Sequence, residues 1–178
     1  MTNLLGINHR ILQAPMAGAS NPDLVAAVSN AGALGGLGAA AMKPDVLRDQ
    51  VRSIKQKTDK PYNVNLFAPS SERFAKNLPI SESLRALLQS YHDEMGLGDL
   101  PVPSGIFGPA ERQLEVLIEE QVPVISFHFG AERQHIENIH NAGLKVICSA
   151  TTVAEAMYLE DIGVDAIIAQ GSEAGGHR

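Results

Sequence analysis

The chain repeats one local pattern in which a helical segment ends at a glycine and an apolar strand follows at once. Three junctions share the order polar residue, apolar residue, glycine, apolar residue: Asn30–Ala33, Asn141–Leu144 and Asp161–Val164. Glycine is favoured just after a helix because it adopts positive φ without steric cost. Short apolar runs that alternate strictly with helices predict a parallel sheet and an α/β fold.

Six strands are predicted from these apolar runs. In chain order they are Ile11–Met16, Ala33–Gly38, Tyr62–Phe67, Val122–Phe127, Leu144–Cys148 and Val164–Ala169. The alternation fits both a doubly wound sheet and a (β/α) barrel, and the pattern alone does not separate them. In both folds the functional groups collect at the carboxyl ends of the strands.

Polar and small residues follow several of these strands. Asn65 lies near the end of the third strand and His128 follows the fourth. The sixth strand leads into a glycine-rich loop, Gln170–Arg178 (QGSEAGGHR), which carries a histidine. A histidine exchanges protons near neutral pH, and an amide both donates and accepts hydrogen bonds. Amides, glycine backbone and one displayed histidine suit a flat polar ring such as a flavin.

Some of these positions have plainer interpretations. Asn65 could be a turn-forming asparagine, and the loop after the sixth strand could be an ordinary strand-to-helix turn. His128 lies between two phenylalanines, so packing and substrate contact both remain open. Cys148 could act as a nucleophile beside a histidine, but it is more readily interpreted as a buried small hydrophobe. Gly36–Ala41 (GLGAAA) nearly matches the dinucleotide fingerprint. We interpret it as close packing of small residues, because the next helix starts several residues too late.

Composition excludes several classes of protein. A net charge of −6, with both signs mixed along the chain, argues against nucleic-acid or anionic-membrane partners. The amino terminus lacks the pattern of a secretory signal, and no apolar run reaches the length of a membrane span. A single cysteine fits a reducing cytoplasm, and no zinc-type Cys/His spacing occurs. We therefore expect a cytoplasmic protein without a metal site.

Residues 68–107 interrupt the alternation. This stretch holds one predicted helix, from Ser81 to about Met95, followed by a run rich in glycine and proline. Connections of this length between core elements are often functional. We expect residues 68–107 to form an inserted helical and loop region that serves the substrate; the alternative is a tolerated surface excursion.

Four segments together resemble the nitronate monooxygenase family, formerly called 2-nitropropane dioxygenase. They are Gln13–Gly18 (QAPMAG), Asn63–Phe67 (NVNLF), Ser126–Gly130 (SFHFG) and Gln170–Arg178 (QGSEAGGHR). The resemblance runs through the whole chain in the family's order. It implies an FMN-dependent (β/α)8 barrel of the TIM type with an added helical substrate region. It also implies oxidation of alkyl nitronates, such as propionate 3-nitronate, with O2 to a carbonyl compound and nitrite.

The resemblance assigns roles residue by residue. It implies that Asn65, Gln170 and Gly175 contact FMN, that His177 is the catalytic base, and that His128 lies near the substrate. The glycine–histidine loop is shared with flavin-dependent enoyl-acyl-carrier-protein reductases, which are the alternative activity. The insertion after Phe67 and the Phe-His-Phe segment favour the monooxygenase.

Chain length differs from the family pattern. The family has two further strands after this point, whose loops hold the FMN phosphate. Residues 1–178 resemble a single incomplete barrel of about six βα units, truncated at the carboxyl end. An inactive truncated fragment is therefore a further alternative.

Overall fold

A computed structural model describes residues 1–68, 80–101 and 109–176. The chain divides into two compact units, Met1–Pro69 with Phe107–Arg178, and Ser70–Ile106. The strands are β1 (Gly35–Gly38), β2 (Tyr62–Phe67), β3 (Val124–His128), β4 (Lys145–Ala150) and β5 (Ala166–Ala169). The helices are α1 (Thr2–Leu5), α2 (Pro22–Asn30), α3 (Pro44–Lys55), α4 (Glu82–Glu94), α5 (Ala110–Glu119), α6 (Arg133–Asn141) and α7 (Val153–Asp161).

The strands form one parallel sheet in the order β1-β2-β3-β4-β5. A doubly wound sheet reverses its strand order at a switch point, so its spatial order differs from its chain order. A barrel adds each strand beside the previous one. The sequential order therefore selects the partial (β/α) barrel from the two predicted architectures.

The predicted first strand is much shorter than expected. Only one parallel bridge joins this segment to the sheet, between Leu12 and Leu34. Beyond it the Gln13 side chain pairs with the next backbone unit of β1. Its Nε2 donates to the Gly36 carbonyl at 3.1 Å, and its Oε1 accepts from the Gly36 N–H at 3.3 Å. Pro15 has no N–H to continue a ladder, so the segment leaves the sheet.

The two faces of the sheet bury different layers. Val64, Ile125 and Val146 face the helices and belong to the larger apolar cluster. The opposite face holds a smaller cluster formed by Leu5, Ile7, Leu34, Val124 and Ile147. Leu5 belongs to α1, a helix that the sequence pattern did not predict. On the same face, β2 and β3 continue beyond this cluster with the polar residues Asn65, Ser126 and His128.

A buried carboxylate ties α3 to the end of α5. Glu120 accepts hydrogen bonds from Arg48 at 3.0 Å, Arg52 at 2.9 Å and Lys55 at 3.2 Å. Burial alone would raise the pKa of Glu120, but hydrogen bonds from Lys55, Arg48 and Arg52 hold that pKa below its ordinary value. Glu120 therefore stabilises the fold in its ionised form.

We expect Glu120→Gln to lower the free energy of unfolding by about 1–3 kcal/mol at neutral pH, because it removes hydrogen bonds to a charged acceptor. A lowered folded-state pKa means that this stabilisation is complete above the unfolded-state pKa. It is lost as pH falls from about 4.5 through the folded-state value. Urea unfolding of the wild-type protein and Glu120→Gln measures this. The difference between their free energies of unfolding should become smaller as the pH is lowered.

The matched control is Glu119→Gln, which removes an adjacent but exposed carboxylate that pairs with Arg48. Exposed pairs contribute little, so we expect a change within about 1 kcal/mol. If the difference in free energy of unfolding between wild type and Glu120→Gln stayed constant down to about pH 3, ionised Glu120 would not be the source of the stabilisation.

The second unit contains α4. The Ser81 side chain caps this helix by accepting from the Leu84 N–H at 3.2 Å, as its predicted start implies. The helix buries none of its residues, and Leu84, Leu87 and Tyr91 are exposed.

No helix in the described part of the chain is both long and apolar enough to cross a membrane.

Candidate active site

The parallel register aligns polar residues of neighbouring strands in layers. Asn65 of β2 pairs in register with Ser126 of β3, and Phe67 pairs with His128 in the next layer. Residues two apart on a strand share a face, so these four side chains lie on the face turned away from the helices. Asn65 and His128 therefore lie on adjacent strands and on the same face of the sheet, near the carboxyl ends of those strands.

Asn65 is held by its neighbour Ser126. Its Nδ2 lies 2.9 Å from the Ser126 Oγ and 3.3 Å from the Ser126 carbonyl oxygen. The buried Asn63 also donates to the same hydroxyl, at 2.9 Å. The short list of candidates drawn from the sequence omitted Ser126. Its signal was available, because it is a polar residue two positions before His128 in an otherwise apolar strand.

His128 is held by a polar partner and by apolar packing, and a contact with substrate stays a prediction. Its Nδ1 is hydrogen-bonded to the Ser149 hydroxyl on β4. Its ring also packs against aromatic rings, with centroids 4.1 Å from Phe129 and 6.1 Å from Phe67. The imidazole is half-buried, and apolar packing and a polar partner together fix its orientation.

Phe129 has a left-handed backbone, with φ of 69°, which is rare for a bulky residue. Gly130 follows with φ of 102°, so the chain turns sharply at the end of β3. The turn places the Phe129 ring beside His128 and edge-on to Phe67, with centroids 5.0 Å apart. An apolar wall therefore flanks the imidazole.

Cys148 lies on the other face of β4. It belongs to the apolar cluster under the helices, and burial raises the pKa of its thiol to about 12. His128 and the neighbouring Ser149 face the opposite way, as alternation along a strand requires. The alternative of a Cys148–His128 nucleophile pair is wrong, and Cys148 is the buried small hydrophobe that the sequence analysis favoured.

The glycines of the apparent dinucleotide fingerprint serve packing. A Cβ at Gly36 would lie 2.5 Å from the Gln13 carbonyl oxygen, and one at Gly38 would lie 2.9 Å from the Ala17 nitrogen. The following helix, α3, begins only at Pro44. The interpretation as close packing is confirmed.

The loop after β5 carries the remaining candidates. The Gln170 N–H donates to the Ala150 carbonyl at 2.9 Å, which continues the pairing of β4 with β5 by one residue. Gly175 is exposed, and a Cβ added there would meet no atom within 4 Å. The backbone of this loop is therefore accessible to a ligand. His177 and Arg178 lie outside the described residues, so the role of His177 stays a prediction.

A sequence profile of the family described as nitronate monooxygenase matches residues 1–178. The chain belongs to the nitronate monooxygenase family. This confirms the resemblance carried by the four segments. The family is enzymatic, so the classification as an oxidoreductase family is confirmed with it.

Named relatives of the family agree over the whole chain. The chain is 41% identical to a nitronate monooxygenase of Paraburkholderia phytofirmans, covering 98% of this chain and 48% of the relative. It is 39% identical to a probable nitronate monooxygenase of Staphylococcus saprophyticus, covering 100% of this chain and 50% of the relative. The chain thus spans about half the length of the curated relatives it matches.

Solved structures give the same fold. Nitroalkane oxidase from Streptomyces ansochromogenes superposes with a TM-score of 0.83 and 36% identity, covering 99% of this chain and 50% of that one. FabK from Thermotoga maritima superposes with a TM-score of 0.73 and 36% identity, covering 99% and 45% of the two chains. The predicted α/β fold of TIM-barrel type is confirmed.

Proposed function

We propose that the protein is a flavin-dependent nitronate monooxygenase. In this proposal it oxidises alkyl nitronates, such as propionate 3-nitronate, with O2 to a carbonyl compound and nitrite. The carrying observation is that Asn65 and His128 share one face at the carboxyl ends of adjacent strands, within a chain that matches the family throughout. A cofactor-binding amide and a substrate-facing imidazole belong at that edge of a barrel.

The described residues fit a flavin ring, and we propose FMN as the cofactor. Asn65 and Gln170 offer amides at the ends of β2 and β5, and Gly175 offers accessible backbone. A flavin presents a planar edge of donors and acceptors that such groups match. When bound, FMN supplies the transfer of electrons from the nitronate to O2.

The protein's own groups then bind and orient the substrate. Ser149 holds the Nδ1 side of the His128 imidazole, so this ring is placed before a substrate arrives. Phe67 and Phe129 exclude water beside it and offer an apolar surface to an alkyl group. We propose His177 as the base that removes the acidic C–H proton of a neutral nitroalkane.

We also propose residues 68–107 as an inserted helical and loop region that serves the substrate, within a single incomplete barrel domain of residues 1–178. The exposed apolar residues of α4 are consistent with a region that contacts a small organic molecule. A cytoplasmic location is proposed from the single, buried cysteine.

Nitrite release tests the activity. The purified protein, supplied with propionate 3-nitronate and O2, should release nitrite and consume oxygen without added NAD(P)H, and it should carry a flavin absorbance. Turnover that requires NADPH and an enoyl thioester would instead assign the reductase activity. A protein with no flavin and no turnover would reject both activities and favour the inactive fragment.

A further inference from the structure

Ser126, Asn63 and Asn65 form a small polar cluster on the face of the sheet that carries the candidate site, and Ser126 contacts both asparagines. Its side chain is buried, and its hydroxyl meets the amides of Asn63 and Asn65 at 2.9 Å each. Asn63 is also buried, and its Oδ1 has no partner within the described residues. The hydroxyl is therefore the point through which both amides are held.

The contacts fix which end of the Asn65 amide faces the protein. The Ser126 backbone carbonyl can only accept a hydrogen bond, and it lies 3.3 Å from the Asn65 side chain. The atom facing it must therefore be the nitrogen, even though amide nitrogen and oxygen are hard to tell apart by shape. The Ser126 hydroxyl, at 2.9 Å, receives the second N–H. Both Asn65 donors are then directed at Ser126, and the Oδ1 is turned away from it.

We infer that Ser126 is a positioning residue that makes Asn65 an acceptor of a hydrogen bond from the flavin. The inference rests on the proposed function, because the flavin is its ligand. A side chain that presents only an oxygen requires a donor on its ligand, and an oxidised flavin ring has a single N–H, at N3. Asn63 donates to the same hydroxyl but takes no part in the two contacts between Ser126 and Asn65.

A flavin analogue tests the polarity of this contact. The probes are FMN and 3-methyl-FMN, whose N3 carries a methyl group and cannot donate. We expect the wild-type protein to bind FMN at least about tenfold more tightly, since one hydrogen bond to a held acceptor has about that effect. Ser126→Ala should reduce the preference to about twofold, because Asn65 is then held only by the longer backbone contact. Ser126→Thr, which keeps the hydroxyl, should restore it.

A second measurement needs no flavin. In the NMR spectrum of the unliganded protein, the two side-chain amide protons of Asn65 should exchange slowly with water. Ser126→Ala should accelerate one of them by about tenfold, because the hydrogen bond to the hydroxyl is lost. Asn63→Ala is the matched control, since it removes an amide from the hydroxyl but leaves both Asn65 contacts intact. It should keep the slow exchange and the FMN preference.

The outcomes separate the two proposals. If wild type binds neither flavin, the proposed function fails, and the exchange of the Asn65 protons still decides whether Ser126 holds the amide. If FMN binds but 3-methyl-FMN binds equally well, Asn65 is not an acceptor for N3–H, and this inference is overturned alone. Unchanged exchange and unchanged preference in Ser126→Ala would equally overturn it.

Discussion

His177→Asn is expected to lower the turnover of neutral nitroalkanes by about 10²- to 10⁴-fold, the usual contribution of a positioned general base. A neutral nitroalkane must lose its acidic C–H proton before oxidation, and asparagine cannot take it. A nitronate prepared in advance has already lost that proton, so its turnover should fall much less. The measurement is the rate of nitrite release with each substrate at saturating concentration.

The comparison of the two substrates is what assigns the role. Equal losses on the neutral nitroalkane and the nitronate would show that His177 serves binding or structure instead. His9→Asn is the matched control, because the His9 side chain is exposed. Only the His9 backbone N–H is used in the described contacts, where it donates to the Gly32 carbonyl in the turn before β1. It makes the same chemical change at the opposite end of the strands and should leave both rates unchanged.

Local chemistry explains why the helix and strand alternation was predictable. Glycines with positive φ end α2, α6 and α7, at Gly32, Gly143 and Gly163. The capping box expected from Thr152 and Glu155 is present at the start of α7. Such signals act within a few residues, so they can be identified without knowing the fold.

Features that depend on distant partners were not predictable. The sequence could not separate a barrel from a doubly wound sheet, because that choice depends on the spatial order of strands. The first strand shrank to the Leu12–Leu34 bridge, because the Gln13 side chain takes over the pairing with Gly36. Neither effect leaves a trace in local periodicity.

The site shows the same division. The carboxyl-end rule predicted Asn65 and His128 near the carboxyl ends of their strands, and the structure has them there, since the rule needs only the strand ends. Their hydrogen-bond partners, Ser126 and Ser149, depend on the register between strands. Register is set by packing across the sheet, so one sequence shows polar residues but not which of them meet.

Gly35→Ala is expected to destabilise the protein by about 3 kcal/mol, at the upper end of the usual cost of overpacking. A Cβ at this position would lie 2.2 Å from the Val25 carbonyl oxygen and 2.8 Å from the Ser29 Oγ. The Gly35 N–H also donates to that hydroxyl at 3.2 Å, so α2 rests directly on the backbone of β1. A methyl group can enter only if the helix moves as a whole, because the nearest obstacle is backbone and not a flexible side chain.

Urea unfolding at neutral pH measures the effect, with Gly175→Ala as the matched control. Gly175 is not among the glycines with positive φ, and an added Cβ there would meet no atom within 4 Å. Both substitutions reduce the conformational freedom of the unfolded chain by the same amount, which by itself stabilises by up to about 1 kcal/mol. The difference between the two variants therefore isolates the clash with α2. Equal stabilities would mean that α2 can move off β1 at little cost, contrary to the buried contact between Gly35, Val25 and Ser29.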